Sequence, residues 1–149
     1  MDAVRTARLP GAVLLLVVLT GSPLIAQQTS AECPFAGPDP VGTGIERLLC
    51  LGGECEINLR SPDGGLEHRF TTEPRIVKLR SPAADVLEED DVIVSVDGAP
   101  ITTREGGRRL ARPRPGVATT LGVRRDGKTL EIRVMPEPGC PIGSLAVRR

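Results

Sequence analysis

Some stretches of the chain alternate apolar and polar residues cleanly enough to read as strands. "VIVSV" (92–96) sets Val92, Val94 and Val96 against Ile93 and Ser95, and Asp97-Gly98 ends it in a tight turn. "TTLGVRR" (119–125) and "KTLEIRVM" (128–135) flank Asp126-Gly127, a two-residue hairpin signal. In the second of these, Leu130, Ile132 and Val134 lie opposite Glu131 and Arg133. Upstream, "ECEINL" (54–59) and "LEHRF" (66–70) predict two strands joined across Asp63-Gly64, and "RIVKL" (75–79) a third that begins after Pro74.

Two short helices interrupt the strands. Pro82 suits a first helical turn, where its missing N–H has no partner anyway, and Ser81 before it is a candidate cap. Ala83, Ala84, Val86 and Leu87 give that turn a small, close-packing face. "EEDD" (88–91) is too acidic to bury and reads as a solvated turn, with Asp90 suited to a left-handed backbone. A second helix starts at Thr102 or Thr103, where Thr102 and Glu105 have capping-box spacing, and must stop before Pro113 and Pro115. Gly106 and Gly107 inside it each cost about 1 kcal/mol relative to Ala, so some close contact should compensate. Strands, short helix, strand, longer helix, hairpin: the order predicts a mostly β, α+β domain, a partly open barrel or sandwich closed by two helices.

The 149 residues suffice for one domain. "MDAVRTARLPG" followed by the apolar run "AVLLLVVLTGSPLIA" and small residues at Ala26 and Ala31 has the makeup of a secretory signal peptide, residues 1–26, with cleavage as late as 31. The apolar run, broken by Gly21 and Pro23, is short for a stable membrane span of about 20 residues, although an uncleaved anchor is the alternative. Glu32 before Cys33 argues against a lipid-modified cysteine. Residues 27–47, rich in Pro, Gly, Ser and Thr, read as an extended lead-in; 48–136 as the domain; 137–149 as a tail.

Basic and acidic residues balance at 19 each, and losing residues 1–26 removes only Arg5, Arg8 and Asp2. No overall field draws the protein to nucleic acid or anionic membrane. Phe35 and Phe70 are the only aromatics, too few for base stacking or an aromatic cage. Cys33, Cys50, Cys55 and Cys140 form an even set, which in an exported chain favours disulfides. Of three connectivities, Cys50–Cys55 with Cys33–Cys140 is preferred, the latter tying the lead-in to the tail. Zinc is the alternative, but no C-x2-C pair is present. No metal or other cofactor is expected.

The stretch "SPAADVLEEDDVIVSVDGAPITTREGGRRLARPRPG", followed by "TLGVRRDGKTLEIRV", resembles the PDZ domains of exported bacterial proteins. In that family a "SPA" helix, a Gly-Asp turn, an "hhxVnG" strand, a groove helix and an "RRdGk" hairpin occur in this order. The likeness spans residues 74–135 and reaches less specifically back to Cys50. One departure is "DVLEEDD", where the family has Ala-Gly-Leu and then Pro-Gly-Asp; Asp91 matches the family's Asp and Asp90 takes the glycine position.

The resemblance implies a peptide-binding module, which adds extended peptides or free C-termini as a strand beside the groove helix. Their carboxylate would sit in a nest of backbone N–H groups. Thr103, Gly107 and Leu110 would face the groove, Leu110 flooring the pocket for the last side chain and Gly107 leaving room. The alternative is that Leu110 packs the core and Gly106-Gly107 allow close backbone contact. Thr103 stands where some members use His, so selection of a hydroxyl residue is not implied. For the carboxylate loop, "CLGGE" (50–54) competes with "GGLEHRF" (64–70). The first is preferred, giving Leu51, Gly52 and Gly53 as the loop and Glu56 and Ile57 on the accepting strand.

Catalysis is not expected. His68 is the only histidine and reads as a surface strand residue; triads with Ser61, Ser81 or Ser95 lack any supporting motif. Arg104, Arg108, Arg109, Arg112 and Arg114 read as a solvated helix face, or as a contact for an acidic partner. Three functional expectations follow: a periplasmic or secreted receptor for peptides or protein C-termini, a scaffold with a vestigial groove, or an adaptor serving an exported protease or envelope protein.

Overall fold

The computed structural model describes residues 41–139 and 142. Ten strands appear there: β1 (Val41–Gly42), β2 (Ile45–Leu49), β3 (Cys55–Arg60), β4 (Leu66–Phe70), β5 (Arg75–Leu79), β6 (Val92–Val96), β7 (Ala99–Pro100), β8 (Thr119–Arg125), β9 (Lys128–Val134) and β10 (Glu137–Pro138). A 3-10 turn covers Ala83–Asp85, and the α-helix α1 covers Arg104–Ala111. The main sheet runs β2-β5-β6-β8-β9, with β7 on β6; β3-β4 and β1-β10 form separate pairs. All pairings are antiparallel and the sheets do not close, the mostly β, partly open α+β architecture expected.

Local chemistry accounts for much of this. Asp126 and Gly127 both take positive φ, 50° and 75°, as a tight hairpin between β8 and β9 requires. The Asp97-Gly98 turn repeats the device between β6 and β7. Asp63-Gly64 turns β3 into β4, with the Gly64 N–H donating to the Ser61 carbonyl at 2.8 Å. Asp90, φ 74°, holds the left-handed position that glycine occupies in the resembled motif.

Several expectations need correction. The lead-in includes a strand: β2 pairs with β5 and sends Ile45 and Leu48 into the core. The tail includes β10, and Ile142 joins the same core. On β6 the register shifts between Ile93 and Ser95, so Ile93 and Val96 are the fully buried pair rather than Val92, Val94 and Val96. The first helix shrinks to a single 3-10 turn, in which the Ser81 hydroxyl donates to Asp85 Oδ2 (2.8 Å) instead of capping the backbone.

The core lies between the main sheet, α1 and the β3-β4 pair. Ile76, Ile93, Ile101, Leu110, Leu121 and Val123 are almost completely shielded from solvent. Burying each such side chain contributes about 1.5–3 kcal/mol. α1 packs on β4, β6 and β7 and is thereby held along one edge of the small sheet.

Candidate functional site

The site grows from the junction of α1 with β4. Thr103 is the N-cap: its hydroxyl oxygen accepts from the Gly106 N–H at 3.1 Å, satisfying one of the first free donors of the helix. The Thr102–Glu105 capping box is therefore replaced by a Thr103 cap. Glu105 instead pairs with Arg109 (2.8 Å) and Arg108, and this pairing holds its carboxyl below the usual range.

Gly106 and Gly107 show why glycine was needed. A Cβ on Gly106 would overlap the Pro100 carbonyl oxygen, and one on Gly107 would overlap that of His68. The helix is thus pressed backbone to backbone on β4 at one side and on the β7 end at the other. Leu110 is a core residue, 1% exposed, Thr103 is exposed, and Gly107 meets the strand backbone directly.

β4 presents its edges unequally. The Thr71 N–H donates to Glu54 and the Gly65 carbonyl accepts from Ser61, so the odd-numbered residues direct their backbone groups toward β3. By alternation Leu66, His68 and Phe70 direct theirs toward α1. The Leu66 carbonyl accepts from Arg112 Nε at 2.6 Å, and the His68 carbonyl lies under Gly107.

The strand beside the helix is therefore β4, not β3. Glu56 and Ile57 lie on β3, with β4 between them and α1. Leu51, Gly52 and Gly53 form an exposed loop ahead of β3, with Gly52 at φ 69°. A disulfide from Cys50 to Cys55 (Cα–Cα 5.9 Å) closes this loop. Cys33 and Cys140 lie outside the described residues. The loop that leads into the helix-side strand is the competing match, around Gly64-Gly65-Leu66.

Charges concentrate around this junction. Glu67 is closed off from solvent, its carboxylate bound by Arg69 (2.9 Å) and Arg104 (3.1 Å). Those hydrogen bonds outweigh burial and keep its carboxyl below the ordinary range. Four of the five arginines read as a solvated face bind acids within the chain: Arg104 to Glu67, Arg108 and Arg109 to Glu105, Arg112 to Asp63. Arg109, Arg112 and Arg114, with Asp97, Glu105, Val117 and Thr119, line a cleft of about 370 Å³.

His68 is buried, not a surface residue. Its Nδ1 accepts from the Asn58 N–H at 3.1 Å and its ring meets Phe70 edge-on at 6.2 Å, so neither contact involves a serine. Burial pushes its pKa down to about 4, against a smaller opposing effect of the Glu67 backbone. Asp91 also departs from the solvated turn expected for "EEDD". It is 1% exposed and grips Arg125 through two bonds of 2.7 Å, while the Glu88 N–H donates to it at 3.0 Å. Burial alone would raise its pKa; Arg125 and that N–H hold it below the usual value.

Residues 65–135 match the family model of the PDZ domain. This segment is a PDZ domain. No match was found among curated proteins. The PDZ family is one of protein-interaction and peptide-binding modules, and the match starts within the loop ahead of β4. The strands of the segment, its helix α1 and the Asp126-Gly127 hairpin all fall inside it. The PDZ domain is completed in space by β2, which lies outside the matched residues and occupies one edge of the main sheet. Among the described residues, no helix is long and apolar enough to cross a membrane.

Proposed function

We propose that the PDZ domain takes extended peptides, free protein C-termini above all, as an added strand on the β4 edge that faces α1. It acts without catalysis and works outside the cytoplasm, in the periplasm or beyond, the latter resting on the signal-peptide makeup of residues 1–26. The observation that carries the reading is the orientation of β4: Leu66, His68 and Phe70 turn their backbone groups to the helix side, where a strand would bond them. A strand needs about 4.8 Å beside its neighbour, so α1 must swing away from β4 for the peptide to enter.

A second reading has its own support. Gly107 rests directly on the His68 carbonyl, which suits a scaffold whose groove stays shut and which meets its partners elsewhere. An adaptor for a separate exported protease would share the open groove and differ only in its partner.

Titration of the oxidised protein (residues 27–149) with short peptides, each with a free and an amidated C-terminus, separates these readings. The small contact area sets affinities at roughly micromolar or weaker. Amide shifts in NMR at residues 66–70 and 104–111 that vanish on amidation establish the C-terminal receptor. Shifts absent from those residues across a diverse peptide set overturn it in favour of the scaffold.

A further inference from the structure

Packing is not all that keeps α1 on β4. Arg112, the C-cap of the helix, reaches over to the loop ahead of β4 and to the first residue of that strand, and makes three bonds. Its Nε donates to the Leu66 carbonyl at 2.6 Å, and its two terminal nitrogens donate to the two carboxylate oxygens of Asp63, each at 2.9 Å. Asp63 Oδ1 also accepts from the Gly65 N–H at 3.1 Å. Gly65 has no Cβ, and one placed there would overlap the Arg112 guanidinium. The loop is thus shaped around that guanidinium.

The result is a carboxylate held by a guanidinium and a backbone N–H at the N-terminal end of the strand that faces the helix. A carboxylate bound in this way is a strong, directional partner. Its position is where a strand lying antiparallel to β4 would bring its own C-terminus. We propose that Asp63 is an internal latch: it fills the carboxylate position with the protein's own side chain, and a ligand's terminal carboxylate takes its place on Arg112 and Gly65. This deepens the peptide-receptor reading and rests on it.

Two further observations agree. Arg112 engages the Leu66 carbonyl, one of the backbone groups that an added strand would use, so the closed state withdraws the site's own bonding groups. The ion pair is also open to water, with Asp63 55% and Arg112 31% exposed, and pairs that solvent reaches exchange partners at low cost. The hydrogen bond from Arg112, then that from Gly65, keeps the Asp63 carboxyl far below its usual range. The latch is therefore released by competition and not by mild acid.

The test uses Asp63→Asn in the oxidised protein, with one readout that needs no ligand. In amide hydrogen exchange without peptide, residues 66–70 and 104–111 should exchange roughly three- to tenfold faster than in the parent, with residues 119–134 unchanged. Unchanged exchange at 66–70, or equal acceleration in both regions, overturns the latch. In the second readout a hexapeptide ending in valine is titrated with its terminus free or amidated. Asp63→Asn should bind the free form roughly three- to tenfold tighter than the parent does, and the amidated form should gain by a smaller factor. Equal affinity of parent and variant for the free peptide overturns the latch but leaves the receptor reading standing. If neither protein binds, the receptor reading fails, and exchange alone decides whether Asp63 holds the helix down.

Discussion

Gly107 and His68 meet backbone to backbone: the helix residue lies so close to the strand carbonyl that a Cβ would overlap the oxygen. This contact explains a glycine that weakens α1. Gly107→Ala regains about 1 kcal/mol of helix propensity and forces the helix off β4, an overpacking cost of about 1–3 kcal/mol. Urea denaturation should show a net loss of stability. A more stable variant would mean that α1 does not rest on His68.

His68 makes stability depend on pH in a defined window. Its folded pKa, about 4, lies below its ordinary value of 6.5, so the unfolded chain binds a proton that the folded chain refuses. Stability is full above about pH 6.5 and falls by about 3 kcal/mol as the pH drops to 4. Glu46, Asp63, Glu67, Asp91 and Glu105 are held below their ordinary values, so their contributions fade only below about pH 4.5. The slope between pH 6.5 and 5 therefore belongs to His68. Denaturation of His68→Gln across that window should be flat; an undiminished slope would assign it to another group.

Asp91 anchors the turn before β6 from inside. Asp91→Ala leaves the Arg125 guanidinium and the Glu88 N–H without their acceptor and should cost about 2–4 kcal/mol. Glu89→Ala, at an exposed position two residues earlier in the same turn, should stay within about 0.5 kcal/mol. Thermal denaturation of the two variants checks the contrast, and similar losses would refute the buried role.

The Cys50–Cys55 bridge closes a short loop, and short loops gain less from cross-linking than long ones. Replacing both by serine should lower stability by about 2 kcal/mol in urea denaturation. A loss below about 0.5 kcal/mol would show that the loop holds its shape unaided.

The sequence made most elements legible where a local rule was strong. Val92–Val96 matches to the residue, and the Asp126-Gly127 hairpin matches but for Met135, which lies past the end of β9, because turn chemistry and alternation act over a few positions. What depended on distant partners was not legible. The bulge that turns Ile93 and Val96 to the core, in place of Val92 and Val94, is set by β8. β2 escaped notice because glycine and proline surround it and its pairing partner, β5, lies far along the chain, with Leu49 opposite Arg75 and Ile45 opposite Leu79. Glu67, His68 and Asp91 are polar in sequence and buried in fact, since Arg104, Asn58 and Arg125 reach them from other elements. The site followed the same division. The two glycines of α1 announced a close contact, but nothing local says which of two neighbouring strands supplies it. Asp63 and Arg112 are 49 residues apart, and no spacing rule joins them.

The short β1-β10 ladder, Val41 opposite Pro138 and Gly42 opposite Glu137, brings the two ends of the folded body together. The ladder therefore ties the segment that leads into β2 to the segment that carries Ile142 into the core, so both flanks of the domain are held along one edge.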